Sequence, residues 1–281
     1  MAVVAFYTDC KDQTGNTVSA ISLATYMGIV QNKRTLVIST AFNNNEMKRA
    51  LWPIQTKKRS GLFGPNTSPA QDNDNGIEGL DRIIRSNRIT PDIITDYTKV
   101  VLKGRLEILQ GYSGSEDQYR EIQKQYSQII TLAGQVYDIV IVDIDKELET
   151  KTKMKILNEV DVVVAMTTQK IENIKKLLKI IAEGTVLKKE KTIITLGRYD
   201  EKSKYNAKNI SRNILKTKRI INTVPYNTVV FEDIQEGKII DTFIRFLGLK
   251  RKDENTFFIE EINRLKEAIE ERYEYLQQMR K

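Results

Sequence analysis

Directly after a short apolar run at residues 3–7 the chain reads TDCKDQTGNTVSAISLATYMG, a polar loop that opens into a helix-forming stretch. A strand, a loop and then a helix is the setting in which backbone N–H groups and a helix N-terminus hold a phosphate. Aligned on the template Gly-x4-Gly-Lys-Thr, Cys10 takes the place of the first glycine, Gly15 the second, Asn16 the lysine and Thr17 the hydroxyl residue. Only Gly15 and Thr17 match, so an ordinary strand-to-helix turn without a ligand stands beside the phosphate-loop reading. Main-chain amides and the helix dipole need no particular side chain, so Gly15, Asn16 and Thr17 keep the means to cradle a phosphate, and the Thr17 hydroxyl suits Mg²⁺. Asn16 offers a neutral amide where the template has a cation, and Asp12 adds negative charge nearby. A left-handed backbone at Asp12 or Gln13 would add about 1 kcal/mol at each relative to glycine. These substitutions predict weakened anion binding.

The second candidate is Asp143, which closes the apolar run DIVIVDI at 138–144. A carboxylate at the carboxyl end of a buried strand is costly without a partner, so it reads either as a site residue or as a cap for the following helix. Asp145 is its softer companion. Histidine is absent altogether, which excludes imidazole general bases and imidazole metal sites. The single cysteine, Cys10, excludes an internal disulfide framework and any multi-thiolate centre within one chain. A reduced, cytoplasmic compartment is the expectation. No run of about 18 apolar residues is present and the apolar N-terminal run is too short for a leader, so neither a membrane span nor a signal peptide is expected.

Around these residues, 281 residues with 40% apolar content suffice for a real core. Apolar runs of strand length recur at 3–7, 35–40, 105–110, 138–144, 160–166 and 191–196, separated by helical patterns at 17–30, 79–86, 115–133 and 171–182. This alternation predicts an α/β fold: a doubly wound, mainly parallel sheet with helices on both faces. Runs 139–142 and 162–165 show no polar alternation, as central strands covered on both sides should. The Gly-, Pro- and Asn-containing stretch 55–76 reads as a mobile insertion, either a solvated loop or a docking arm. From Asn255 or Thr256 onward, Phe258, Ile262, Leu265, Ile269, Tyr273 and Leu276 make one long amphipathic helix. It could pack on its own domain, pair with a partner or lie on a membrane. The expected division is a domain at 1–250 followed by this helix at 251–281. The net charge is +8, yet residues 151–219 alone hold 18 Lys or Arg against 7 Asp or Glu. Such a surplus suits either a solvated face or an electrostatic contact with DNA or an anionic membrane.

The string Lys11-Asp12-Gln13-Thr14-Gly15-Asn16-Thr17 resembles the deviant Walker A loop, Lys-Gly-Gly-x-Gly-Lys-Thr, of the MinD/ParA superfamily. Its signature lysine, matched by Lys11, reaches across a homodimer to the partner's nucleotide. The P-loop lysine and both early glycines are not retained. Where the family has two aspartates after the second strand, VISTAFNNNE (37–46) has Ser39 and Ala41. YDIVIVDID (137–145) is similar to the family's Walker B-like segment, with Asp143 at the Mg²⁺-water position. DVVVAMTTQKIENIKKL (161–177) resembles the strand and dimer-side helix. ITLGRYD (194–200) resembles the adenine-contacting strand, with Gly197 at the asparagine position and Arg198 after it. VPYNTVVFEDIQEGK (224–238) resembles the closing segment, in which Pro225 and Tyr226 line the adenine side. Arg-Tyr-Asp followed by Val-Pro-Tyr-Asn-Thr, with 79–97 and 105–117, looks like the CpaE/TadZ branch of tight-adherence pilus assembly. Many members of that branch carry a receiver-like domain ahead of the ATPase-like one, and a chain opening at the first strand would be the bare form.

The resemblance implies a P-loop NTPase-like fold that binds ATP or ADP with Mg²⁺. Lys11, Asp12, Gln13, Thr14, Gly15, Asn16, Thr17, Val18, Arg198, Pro225 and Tyr226 would contact nucleotide, and Thr17 and Asp143 would hold the metal. With Asn16 and Ala41 in place of the lysine and the aspartate, at most a weak ATPase is expected. The first reading is therefore a homodimeric positioning protein for a pilus or secretion assembly, peripheral at the inner membrane or cell pole. The alternative is an active partition ATPase cycling on DNA or membrane. A ligase or a cluster-bearing reductase on the same fold lacks the loop lysine or the second cysteine it needs.

Overall fold

The computed structural model describes residues 2–53, 76–88 and 90–280. Of the 55–76 insertion, only Gly76 lies within the described residues. The strands are β1 (Ala2–Tyr7), β2 (Thr35–Ser39), β3 (Lys99–Leu102), β4 (Leu106–Leu109), β5 (Ile139–Asp143), β6 (Val162–Thr167), β7 (Thr192–Tyr199) and β8 (Asn222–Pro225). The helices are α1 (Asn16–Val30), α2 (Glu46–Leu51), α3 (Ile77–Arg85), α4 (Glu116–Ile122), α5 (Tyr126–Val136), α6 (Thr150–Glu159), α7 (Ile171–Glu183), α8 (Ala207–Asn213), α9 (Thr228–Glu236), α10 (Ile239–Leu247) and α11 (Glu254–Met279).

The strands form one eight-stranded sheet in the order β3-β4-β2-β5-β1-β6-β7-β8. All neighbours pair in parallel except β3 with β4. The apolar run of β5 is buried throughout because helices cover both faces: α1, α9, α10 and α11 on one, α3, α5, α6 and α7 on the other. The expected doubly wound architecture is therefore observed. β1 and β5 lie side by side, and their onward connections lead to β2 on one side and β6 on the other, so the chain parts between their carboxyl ends. Ligand crevices form where the connections of a parallel sheet diverge in this way. Pairing of Phe6 and Ser39 with Asp143 puts that carboxylate level with the last residues of both neighbouring strands.

Local differences from the expectation have local causes. The single helix expected over 115–133 is two, α4 and α5, separated by a 3-10 turn at Gln123–Gln125. The buried Gln123 side chain there accepts a hydrogen bond from the Glu149 amide at 3.0 Å. β3 is a four-residue edge strand, too short for its pattern to stand out, returning through Gly104 into β4. The C-terminal helix begins at Asp253, whose carboxylate accepts from the Asn255 and Thr256 amides in a reciprocal capping box with the Thr256 hydroxyl. Its apolar stripe lies on the chain's own sheet: Phe258, Ile262, Leu265 and Ile269 are buried with α1 and α10. Asp253→Ala is expected to lower stability by about 1 kcal/mol, read as a shift in the urea midpoint without a change in slope. Among the described residues, no helix is long and apolar enough to cross a membrane.

Candidate functional site

The loop from Thr8 to Gly15 links β1 to α1. Gly15 holds the position before the helix with φ of 71°, and no side chain caps the helix there. The first N–H groups of α1 therefore keep their capacity to bind an acceptor, where the positive end of the dipole adds to it. In front of them lies a cavity of about 480 Å³. Gln13, Thr14, Gly15, Asn16, Thr17, Val18, Arg198, Pro225 and Tyr226, all expected at a nucleotide site, line it together. Thr14 and Ser19 contribute hydroxyls that are 1% exposed at the residue level and have no hydrogen-bond partner among the described residues. Buried hydroxyls in a cavity wall are accounted for when a ligand or water completes them.

Lys11 and Asp12 do not line the cavity. Lys11 is exposed, and its carbonyl, together with that of Asp12, receives the Lys146 ammonium at 3.4 and 3.2 Å. Asp12 turns to α7, where Asn173 donates to it at 2.8 Å and Lys170 lies 3.1 Å away. The Asn173 hydrogen bond and Lys170 hold its carboxyl below the ordinary range. The negative charge expected beside the ligand is therefore neutralised on the outer side of the loop. Neither Asp12 nor Gln13 has a left-handed backbone; that strain falls instead on Arg198, with φ of 49°.

Asn16 occupies the position of the template lysine, and its side chain reaches β1 and β5. Its Nδ2 donates to Asp143 Oδ1 at 2.7 Å and to the Phe6 carbonyl at 3.3 Å. Asp143 is 4% exposed. Burial pushes its carboxyl up to about 7, against the pull of hydrogen bonds from Thr17 and Asn16, while Asp145 and Glu46 push the same way as burial. Of the two residues expected at the metal, Thr17 lines the cavity, whereas Asp143 is buried and is not among its lining residues.

The sequence reading missed Lys146 and Glu46. Lys146 lines the cavity immediately after the Asp-Ile-Asp of β5, so its place at a strand's carboxyl end was a usable signal. Glu46 begins α2 and lines the cavity. Burial raises its carboxyl, and Asp145 adds to the rise against Arg49. The Ala41 turn is held rigidly: Tyr119 donates to the Thr40 carbonyl at 2.8 Å, and a Cβ on Gly111 would lie 2.3 Å from the Ala41 carbonyl.

A loop and an uncapped helix start after β1 of a doubly wound, mainly parallel sheet give this chain a P-loop NTPase-like α/β fold. Solved structures similar to this chain include MinD/ParA-family ATPases. A ParA-family ATPase from Chlorobium tepidum TLS aligns over 92% of this chain and 96% of its own, with a TM-score of 0.65 and 17% identity. The septum site-determining protein MinD from Pyrococcus horikoshii OT3, complexed with Mg-ADP, aligns over 94% and 95%, with a TM-score of 0.63 and 13% identity. A plasmid partition protein from Borrelia burgdorferi B31 bound to AMPPNP aligns over 94% and 97%, with a TM-score of 0.56 and 16% identity. No family model and no curated protein matches the sequence.

The described residues fit a phosphate chain: an uncapped helix start, unpartnered hydroxyls in the wall, and Arg198 and Lys146 as cations lining the cavity. At the template's lysine position the chain has an amide bonded to Asp143, and Glu46, Asp145 and Glu147 bring carboxylates to the cavity lining.

Proposed function

We propose that this chain is a MinD/ParA-like protein that binds ATP or ADP with Mg²⁺ and uses the nucleotide as a clamp rather than a fuel. The observation that carries this reading is the preserved cradle at Gly15–Thr17 combined with Asn16 bonded down onto Asp143. A main-chain cradle retains anion binding, whereas turnover needs a positioned water and compensated phosphate charge. Mg²⁺ held through Thr17 and Asp143 would neutralise phosphate charge. The nucleotides in the similar solved structures support the ligand class. Ligand that binds only the assembled state stabilises it by mass action, so nucleotide would favour a homodimer. Exposed Lys11, free of the cavity of its own subunit, is suited to reach a partner's nucleotide. Such a dimer would position a pilus or secretion assembly of the CpaE/TadZ kind from the cytoplasmic side, at the inner membrane or a cell pole.

Binding and turnover are separated by calorimetry with ATP and Mg²⁺ alongside a phosphate-release assay. Measurable binding with release near background is the expected result, and Lys11→Ala is expected to remove the nucleotide-dependent shift in sedimentation. Release well above background and stimulated by DNA or lipid vesicles would instead establish a cycling partition ATPase. Several cations of 151–219 are already spent within the fold. Lys191 donates to the Asn158 and Val160 carbonyls at 3.0 Å each, Lys176 pairs with Asp9 at 2.6 Å, and Arg219 pairs with Glu271. DNA binding by this region is accordingly expected to be absent or lost with modest salt.

A further inference from the structure

β7 does not run straight to its end. The β7–β8 register shifts between Gly197 and Tyr199, and Arg198 between them adopts the left-handed backbone. A bulge re-aims the side chain it carries. A left-handed residue other than glycine is strained and persists only where its surroundings enforce it. The enforcing contact is Gly197 against the loop: a Cβ there would lie 1.8 Å from the Thr14 carbonyl oxygen and 2.8 Å from the Met166 methyl. With the strand pressed onto the loop at 197, residue 198 swings over it. Arg198 Cγ lies 3.5 Å from where a Cβ on Gly15 would be, and Nη1 donates to Gln13 Oε1 at 2.9 Å. The guanidinium carbon stands 5.4 Å from the centre of the Tyr226 ring. The side chain thus spans the wall between the anion cradle and the aromatic rim. Gln13 takes one of its five N–H donors.

Two cations line the cavity among the described residues, Arg198 and Lys146. Lys146 is held by the carbonyls of Lys11 and Asp12 on the outer side of the loop. Arg198 is the one aimed across the cradle. Position 197, pressed against the Thr14 carbonyl, admits no side chain. The amide of Asn227 is consumed by capping α9 at Val230 and by Asn255. Tyr226 and Phe231 remain, half exposed, with ring centres 6.2 Å apart. Exposed rings stack on any base, because every base presents a π face.

We propose that Arg198 grips the polyphosphate in place of the missing loop lysine, and that the site selects nucleoside di- and triphosphates by their phosphates, with the base stacked unread on Tyr226 and Phe231. This rests on the nucleotide reading of the cavity. Calorimetry of the full chain with Mg-ATP, Mg-GTP and inorganic tripolyphosphate tests it. Wild type is expected to bind ATP and GTP within tenfold of each other. Arg198→Gln should weaken all three probes at least tenfold, as loss of a charge-assisted contact does. Arg198→Lys should lose less than Arg198→Gln, and Lys146→Ala should also cost less than Arg198→Gln. A preference for ATP over GTP beyond tenfold, through Gln235 for instance, overturns the unread base. Unchanged tripolyphosphate affinity in Arg198→Gln overturns the phosphate role. Wild type that binds none of the three overturns the nucleotide reading itself, and this assignment with it.

Discussion

Gly197→Ala is expected to destabilise the protein by roughly 3 kcal/mol, the upper range for forcing atoms into a packed site. The added methyl would meet a main-chain carbonyl at 1.8 Å, and a carbonyl in the Thr8–Gly15 loop cannot rotate aside as a side-chain end can. Relief requires the loop to separate from β7, so anion binding should fall with stability. Gly104→Ala is the matched control. That glycine has φ of 71° but nothing within 4 Å of its absent Cβ, so only the backbone term of about 1 kcal/mol applies. Urea unfolding of both variants checks the comparison; Gly197→Ala within 1 kcal/mol of wild type would contradict the close approach on which the Arg198 geometry depends.

Asp143→Asn is expected to stabilise the protein at pH 8 and to leave it nearly unchanged at pH 4. The folded-state carboxyl titrates at about 7 against 3.8 in the open chain, because burial disfavours its charge. A folded pKa above the unfolded value contributes stability that is complete below pH 3.8 and disappears as pH rises through 7. The span corresponds to roughly 4 kcal/mol, and part of it belongs to repulsion from Asp145 and Glu46. A gain of about 2–4 kcal/mol at pH 8 is the expected reading. Denaturant midpoints of both proteins across pH 4–8 provide the measurement. Parallel profiles would show that Asp143 does not carry this cost. On the proposed function the same variant should also lose Mg²⁺-dependent nucleotide binding, which separates the residue's electrostatic strain from the metal role proposed for it. Asn16 offsets part of this strain by donating to the carboxylate.

Both expectations bear on the proposed function. On that reading the main chain would hold the phosphates, through Gly15 and the start of α1. Turnover would fall to side chains, and at positions 16 and 41 these are an amide and a methyl.

Residue pattern alone was enough to expect the sheet, because β1, β5 and β6 are central strands whose burial on both faces leaves unbroken apolar runs. It was enough, too, to place Gly15–Thr17 at a strand-to-helix junction and Asp143 at a strand's carboxyl end, since loops and strand ends along a parallel sheet are predictable from local sequence. The contacts that decide the chemistry join residues far apart in the chain, and no local pattern encodes them. Asp12 is neutralised by Lys170 and Asn173 of α7, Arg198 is aimed by a bulge that exists only because Gly197 meets the Thr14 carbonyl, and Lys146 is drawn over the loop by two carbonyl oxygens. The destination of the C-terminal helix was equally open, because an apolar stripe specifies that a face must be covered and leaves its cover to the geometry of α1, α10 and β8. Periodicity determined what this chain would bury; only the close packing of distant segments decided where its charges point.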